Sequence, residues 1–426
     1  MRDEVRARLR VAGFELVQLE APIDPRSKVR PDVVAWAADN SGELVPWAVV
    51  EIKSGQFKTP ELALPALARS RDLLGTTDHY AVVNGQWFKA DRSVRSLEPV
   101  DGPTPPQHGP RGLLVDEGLA TSLLLKSLWR HVDGERAHGA QVDNFFPAAD
   151  LTAEPDVAGI ETADGFVPVR SDVLWQARRR ALIEFASNTG KGEALASDPV
   201  IARAMADLAG PPIAGTVLDP FCGTGSFLWA VMDRALRHDA PVEFVGVEVN
   251  DGLASLAGTI GRTAPLLTTI VSGDAFEVEL PLADLVLAAP PLGMRLREPR
   301  VLLDGSTTTD MTVAAVDLAL QQLRPGGRAV LHVAAGFTFQ RAAEQYRQYL
   351  AEQLRVAALI GLPGGAVPGT GVRSVLLVIE RREPGETFVA QLGEDWETQL
   401  ASGGAALTAA LAHIDGDRTG GGRGYH

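Results

Sequence analysis

Val5, Leu9, Val11 and Phe14 recur at the spacing of one helical face, so an amphipathic helix is predicted to open the chain. Apolar runs at Asp32–Ala37 and Trp47–Ile52 predict two strands, and a helix and a further strand at Tyr80–Val83 complete a small α/β unit over residues 1–100. From Leu113 to about Gly190 the pattern is mainly helical, in LATSLLLKSLWRHV (Leu119–Val132) and VLWQARRRALIEFA (Val173–Ala186), with an irregular polar and acidic stretch between them. Beyond it strands alternate with helices, the strands falling at Thr216–Leu218, Phe244–Val247, Leu285–Leu287, Ala329–Val333, Val356–Ile360 and Val375–Ile379. Such alternation builds a doubly wound, largely parallel sheet.

Gly and Pro punctuate this pattern. DGPTPPQHGPRG (Asp101–Gly112) holds four prolines and three glycines, too many for a helix or a central strand, and reads as a linker. The expected division is therefore an α/β domain at 1–100, the linker at 101–112, a helical connector at 113–190, the doubly wound domain at 191–382 and a carboxy-terminal tail at 383–426, its end TGGGRGYH without fixed structure. No internal repeat is visible.

Composition adds boundaries. A chain of 426 residues, 45% hydrophobic and 22% charged, has the make-up of a soluble globular protein of two or three domains. No run approaches the roughly 20 apolar residues of a membrane span, and MRDEVRARLR lacks the apolar core of a signal peptide, so a cytoplasmic location without membrane contact is expected. The single cysteine, Cys222, excludes an internal disulfide and a multi-cysteine zinc site, leaving carboxylates and histidines as metal ligands. A net charge of −14 excludes a uniformly basic DNA clamp. A DNA-binding role then needs either a local basic patch, at Arg178, Arg179 and Arg180 or at Arg295, Arg297 and Arg300, or a partner supplying most contacts; each cluster reads equally as a solvated face.

The strongest local signal is TVLDPFCGTGSFLWAV (Thr216–Val231), an apolar strand ending in Asp219, a glycine-containing turn and an apolar helix. Gly223 and Gly225 permit a tight turn and close approach of a ligand, and the helix amino terminus offers N–H groups to a carboxylate. The acid at the strand end would repel a phosphate and attract an ammonium group, so the expected ligand is zwitterionic, as a methionine moiety is. In FVGVEVND (Phe244–Asp251) a second strand ends in Glu248, placed to accept from ribose hydroxyls. Another Rossmann-like nucleotide site is the competing reading. Cys222 reads as a small packing residue.

Taken in order, the strand-DPFCGTG-helix, the strand ending in Glu248, SGDAF (Ser272–Phe276) and then APPLG resemble the successive motifs of the gamma-class N6-adenine DNA methyltransferases. RPGGRAVLHVAAGF (Arg324–Phe337) and VAALIGLPGGAVPGTGVRSVLLVIE (Val356–Glu380) look like the modification subunit of type I restriction systems. The resemblance covers roughly Lys191 to Arg382. It implies a class I S-adenosylmethionine-dependent methyltransferase sheet, with Asp219, Phe221, Gly223 and Gly225 around the methionine part of S-adenosyl-L-methionine, Glu248 on the ribose, and Asp274 with Ala275 at the adenine. Leu195, Ser197 and Pro199, in GEALASDPV (Gly192–Val200), stand where that family carries an aromatic-bearing segment over the cofactor. The catalytic motif of the family has Asn or Asp, two prolines and an aromatic; this chain reads Ala289, Pro290, Pro291 and Leu292.

In the amino-terminal unit, VRPDVVAW followed by WAVVEIKSG places Asp32 behind a proline and then Glu51 and Lys53 at the end of an apolar strand. Two carboxylates converging from adjacent strands can hold Mg²⁺, and a lysine beside them can orient an attacking water. The arrangement resembles the PD-(D/E)xK nucleases, a restriction-endonuclease-like α/β fold, and RDLLGTTDHYAVVNGQWF (Arg71–Phe88) is similar to the segment after the catalytic strand in type I restriction subunits. Glu4 is the candidate upstream acid. A charged strand end, or a nuclease-like fold that binds without cutting, are the alternatives. The expectation is a DNA adenine-N6 methyltransferase-family protein of a restriction-modification or phage-defence system, with DNA and a specificity or defence-complex protein as partners; an S-adenosylmethionine-binding subunit that no longer transfers methyl groups is the alternative.

Overall fold

A computed structural model of the chain describes residues 1–20, 30–55, 59–107, 112–137, 159–162, 165–187, 197–210, 213–237, 240–367 and 369–420. The chain divides into two compact units, Met1–Ala181 and Leu182–His426.

The first unit opens with the helix Arg2–Val11, whose Val5 and Leu9 are buried, as the period predicts. Six strands follow: β1 (Leu16–Leu19), β2 (Val33–Ala38), β3 (Leu44–Lys53), β4 (Asp78–Val83), β5 (Gln86–Ala90) and β6 (Leu97–Val100). They lie side by side in that order. β1, β2 and β3 form an antiparallel meander, and the helix Leu64–Leu74 carries the chain back so that β4 runs parallel to β3. Asn84 and Gly85, both at positive φ, make the two-residue turn between β4 and β5, the geometry an Asn-Gly pair favours. Val5, Leu9, Phe14, Val33, Ala35, Tyr80 and Trp87 belong to one buried cluster.

The linker expected at 101–112 does not separate domains in its described residues. Thr104 N–H donates to the Tyr80 hydroxyl at 2.9 Å, and Gly112 N–H donates to the Glu15 carboxylate. Gly112 packs closely, since a Cβ there would stand 3.1 Å from Ala38, tighter than ordinary van der Waals contact. Proline and glycine here mark a segment held by hydrogen bonds to Tyr80 of β4 and to Glu15, which composition alone does not distinguish from a tether. The predicted connector supplies the helices Glu117–Ala137 and Ser171–Ala186, with a short hairpin of β7 (Gly159–Thr162) and β8 (Gly165–Pro168) between them.

The second unit contains β9 (Gly215–Asp219), β10 (Val242–Glu248), β11 (Thr268–Ser272), β12 (Ala283–Ala288), the hairpin β13 (Arg295–Val301) and β14 (Thr307–Asp310), then β15 (Leu323–Ala334), β16 (Arg355–Leu362), β17 (Ser374–Glu380) and β18 (Phe388–Gln391). Eight of them form one sheet in the order β11-β10-β9-β12-β15-β17-β16-β18. β17 alone runs antiparallel to its neighbours in that sheet. Helices Ser226–Ala235, Asp251–Gly261, Met311–Gln321 and Glu344–Gln353 make the crossovers. Leu218, Val286, Leu331 and Leu377 lie in the main core, and every residue of β17 is buried.

The segment 383–426, expected to be a tail, extends the fold instead. β18 pairs parallel with β16, and Leu400, Leu407, Ala410 and Ile414, from the helices Trp396–Leu400 and Ala405–Gly420, are buried. FVAQ is too short and too mixed in polarity to announce an edge strand. Of TGGGRGYH, residues 421–426 lie outside the described residues. Among the described residues no helix is long and apolar enough to cross a membrane.

A buried ionic network fastens this carboxy-terminal segment to the sheet. Glu380, fully buried, accepts from Arg328 and from Arg355, both at 2.8 Å, and Arg328 also reaches Asp415 and the carbonyl of Leu208. Removing the shared carboxylate leaves two buried guanidinium groups without it. Glu380→Ala is therefore expected to cost roughly 3–5 kcal/mol, read as a lowered urea midpoint, while a surface change such as Glu383→Ala leaves the midpoint within error.

Candidate cofactor site and catalytic loop

The strand order reverses between β9 and β12: the chain leaves β9 for β10 and β11 on one side and returns to β12 and β15 on the other. In an open α/β sheet that crevice, outside the carboxyl ends of the strands, is where ligands bind. Asp219 ends β9, Glu248 ends β10, Asp274 follows β11 and Ala289 follows β12, so the sequence-predicted residues of this unit converge on one edge.

Asp219 has no solvent exposure. Its Oδ1 accepts from Phe221 N–H at 3.1 Å, and its Oδ2 is buried with no hydrogen-bond partner among the described residues. Burial pushes the carboxyl up to about 7; the Phe221 N–H opposes that and the nearby Glu248 adds to it. A buried carboxylate oxygen without a donor is costly, and a ligand ammonium group would satisfy it. Gly223, at φ 56°, has open space where a side chain would stand. The helix Ser226–Ala235 carries no side-chain cap on its amino terminus, so its first N–H groups remain available to a carboxylate. The donor set fits a zwitterionic amino acid.

Gly225 differs from expectation. A Cβ there would lie 2.3 Å from the Trp229 ring, whose Nε1 donates to Thr224 O at 2.7 Å. This glycine, at φ 85°, lets the loop fold onto Trp229; it is Gly223 that faces open space. Cys222 is buried against Gly246, and burial pushes its thiol well above the ordinary value, which suits packing and not nucleophilic attack.

Glu248 accepts from Gly223 N–H at 2.9 Å and from Asn250 N–H at 2.8 Å, which fixes the carboxylate and ties the glycine turn to β10. Each oxygen keeps a second lone pair for a hydroxyl donor. Asp274 Oδ1 accepts from Phe276 N–H, Ala275 is buried, and the Phe276 and Phe221 rings lie 5.8 Å apart. Arg300 stacks on Phe276 at 4.5 Å and donates to its carbonyl; sequence reasoning missed this contact because hairpin β13–β14 has no strand-like alternation. Ser197 N–H donates to Ser226 Oγ, and Pro199 opens a helix capped by Asp198, which brings that segment beside the turn. Leu195 lies outside the described residues.

The loop Ala289–Leu292 leaves β12 directly. Pro290 is buried, Ala289 and Leu292 are half-buried, and no side chain of the four carries a polar atom. Its hydrogen-bond acceptors are backbone carbonyls alone.

Of the two basic clusters, the first is absorbed within its own unit. Arg178 is buried, Arg179 stacks on Trp175 and Arg180 pairs with Glu117. In the second, Arg300 is taken by Phe276, while Arg295 and Arg297 are exposed.

In the amino-terminal unit Asp32, Glu51 and Lys53 do come together. Lys53 Nζ is 2.8 Å from Glu51 Oε2 and 4.0 Å from Asp32 Oδ2, and Ile52 N–H donates to Asp32. Glu51 is buried, which raises its carboxyl above the usual range against the pull of Lys53. Arg2 adds a contact the sequence did not announce: it bridges Asp32 at 2.9 Å and Glu20 at 2.5 Å. Glu4 is exposed. Among the described residues no three ligand-type side chains cluster closely enough to hold a metal ion, so a cation here would have two carboxylates and otherwise water.

The sequence model described as N-6 DNA Methylase matches residues 170–399, more than half of the chain. The chain belongs to the N-6 DNA methylase family. The match runs past Arg382 through β18, so the first part of the carboxy-terminal extension lies within the family match. The type II methyltransferase M.TthHB8I of Thermus thermophilus is 27% identical over 230 residues, 47% of this chain and 51% of the relative; the chain thus spans about half the length of that curated protein. Among solved structures, a protein described as a class I S-adenosylmethionine-dependent methyltransferase from Listeria monocytogenes is 15% identical with a TM-score of 0.54, covering 70% of this chain and 99% of the other. That likeness establishes the fold, the α/β class predicted from the strand pattern. A protein described as a modification subunit of a type I restriction enzyme from Vibrio vulnificus is 21% identical, with a TM-score of 0.47 over 54% of this chain and 55% of the other.

Proposed function

We propose that the second unit of this N-6 DNA methylase family member binds S-adenosyl-L-methionine, and that the chain acts on DNA within a restriction-modification or phage-defence system alongside a partner that chooses the sequence. The unpartnered, buried oxygen of Asp219 at the strand crossover carries this reading. Asp219 would hold the ammonium group, the amino end of helix Ser226–Ala235 the carboxylate, Glu248 the ribose hydroxyls and Asp274 the adenine amino group, with Phe221, Gly223 and Ala275 shaping the cavity. When bound, the cofactor supplies an electrophilic methyl group on sulfur. Directing an adenine amino nitrogen at it requires acceptors for both amino hydrogens and a face for the base. Ala289 and Leu292 provide neither, which favours a chain whose unassisted methyl transfer is slow and whose cofactor site also serves support or sensing. Calorimetry with S-adenosylmethionine and its demethylated product tests the site, and labelled methyl transfer to unmodified DNA, with and without the neighbouring-gene products, tests the activity. Absence of any cofactor binding overturns the proposal.

For the first unit the convergence of Asp32, Glu51 and Lys53 supports a nuclease-like domain, cutting DNA with Mg²⁺ or binding it without cutting. Any cleavage should need Mg²⁺ or Mn²⁺ and fall at least about a hundredfold in Asp32→Ala and in Lys53→Ala, because the chemistry needs both the cation and an oriented water. Supercoiled-plasmid nicking measures it. Cleavage that persists in both variants, or in chelator, removes the nuclease reading.

A further inference from the structure

Both oxygens of Asp32 in the first unit already have donors, and one of those donors comes from the start of the chain. Arg2 Nη2 donates to Asp32 Oδ1 at 2.9 Å, while Arg2 Nη1 stands 2.5 Å from Glu20 Oε1. Asp32 Oδ2 accepts from Ile52 N–H at 2.9 Å, and Lys53 donates to Glu51 Oε2 at 2.8 Å. Two protein cations thus face three carboxylates. Arg2 does not sit on a loose end: it opens the helix Arg2–Val11, which is docked through the buried Val5 and Leu9. Glu20 is held too. Its N–H donates to the Asp32 carbonyl at 3.0 Å, and it adopts φ 49°, a conformation that residues other than glycine seldom take.

We propose that Arg2 is a built-in counter-ion that holds the place of a divalent cation on Asp32, so that metal uptake by this unit is an exchange in which the guanidinium must yield; this rests on the nuclease-like reading above and adds a regulation to it. A hard cation binds carboxylate oxygens directly, and Asp32 Oδ1 is the oxygen the guanidinium occupies. If Arg2 stays, it repels the incoming ion across a few ångströms. If it swings out, its bonds to Asp32 and Glu20 are lost. Affinity for the ion falls either way. The contact is also suited to exchange, because the side chains of Arg2 and Glu20 are 47% and 55% exposed and such a screened pair contributes little that an ion cannot replace. Lys53, by contrast, sits on Glu51, whose side chain is 7% exposed. The resting site is therefore neutralised from within, and it takes a cation only at concentrations that outcompete the first helix.

The experiment is a Mn²⁺ titration of the whole chain, with the free ion followed by electron paramagnetic resonance, in the parent, Arg2→Gln, Arg8→Gln and Asp32→Ala. Arg2→Gln should bind Mn²⁺ about tenfold more tightly than the parent, at a site that Asp32→Ala abolishes. Arg8→Gln removes the same charge from the same helix, about 9 Å further along its axis, where Arg8 donates to the Asp101 carbonyl; screening should hold its affinity within about twofold of the parent. The Arg2 side chain packs into no core, so unchanged urea midpoints are expected in both arginine variants. Equal Mn²⁺ affinity in Arg2→Gln and the parent, with the ion still lost in Asp32→Ala, overturns the counter-ion role and leaves the cation reading standing. An equal gain in Arg8→Gln overturns it as well, since overall charge would then be the cause. Absence of any Asp32-dependent Mn²⁺ binding, in the parent and in Arg2→Gln alike, sinks the cation reading together with it.

Discussion

Asp219→Ala is expected to abolish measurable binding of S-adenosylmethionine, and the parent protein's affinity for it should climb as pH rises through 7. Both follow from one buried carboxyl. Burial holds it up to about 7 while no cation is beside it, so near neutrality a large share of the protein carries a proton where the ligand's ammonium group must sit. Binding has to expel that proton. Affinity should therefore rise by close to tenfold for each pH unit well below 7 and level off above it, and at pH 7 calorimetry in buffers of different ionisation enthalpy should show a fraction of a proton released. The same carboxyl makes the ligand-free protein pH-sensitive. Its folded value lies above the ordinary carboxylate value, so its contribution to stability is complete below about 4 and is lost as pH rises toward 7, a few kcal/mol at about 1.4 kcal/mol per tenfold in proton affinity. His332 acts in the other direction: burial brings it down to about 4, so stability falls as pH drops from its ordinary value of 6.5. Comparison with Asp219→Asn isolates the first effect, because the amide keeps the shape and cannot ionise. A pH-independent affinity in the parent, or full affinity in Asp219→Ala, would sink the assignment of Asp219 to the ammonium group.

What the sequence disclosed and what it hid have physical causes. The six strands predicted in the second unit were legible because strands covered on both faces read as near-continuous apolar runs, as β12 and β17 do. β11, TTIVS, lies at the sheet edge with alternating partial exposure, and β13 is mostly exposed; neither carries enough apolar contrast to stand out. The carboxyl-edge acids were legible because a strand end followed by a glycine turn is a local pattern. Long-range partners were not: Arg2 is thirty positions from Asp32, and the ring that Arg300 covers belongs to a turn two elements earlier. Gly225 shows a subtler limit, since a glycine needed for ligand approach and one needed to fit Trp229 look identical until the neighbouring ring is seen.

Ala289→Asn combined with Leu292→Phe should raise methyl transfer to adenine by about a hundredfold over the parent chain. Asn at 289 supplies a side-chain acceptor directly after β12, and one well-placed polar group at the reacting atom is commonly worth about 10²-fold in rate. Phe at 292 supplies a ring face for the base, and base–aromatic stacking contributes about 1–3 kcal/mol. Neither position is fully buried: Ala289 and Leu292 are half-buried, Pro291 beside them is exposed, and Gly293 lines a cavity. The two changes should separate kinetically. Leu292→Phe alone improves substrate binding and lowers KM, whereas Ala289→Asn alone acts on kcat, because the acceptor contributes where the amino nitrogen begins to bond to the methyl. Mass spectrometry of digested DNA reports N6-methyladenine directly. A double variant that binds cofactor and DNA normally yet stays as slow as its parent would show that the defect lies outside Ala289 and Leu292. Robust N6-methyladenine formation by the unmodified chain alone would show that backbone carbonyls of the Pro290–Pro291 segment, or an acceptor from another loop, already perform the task, and the slow-transfer reading would fall.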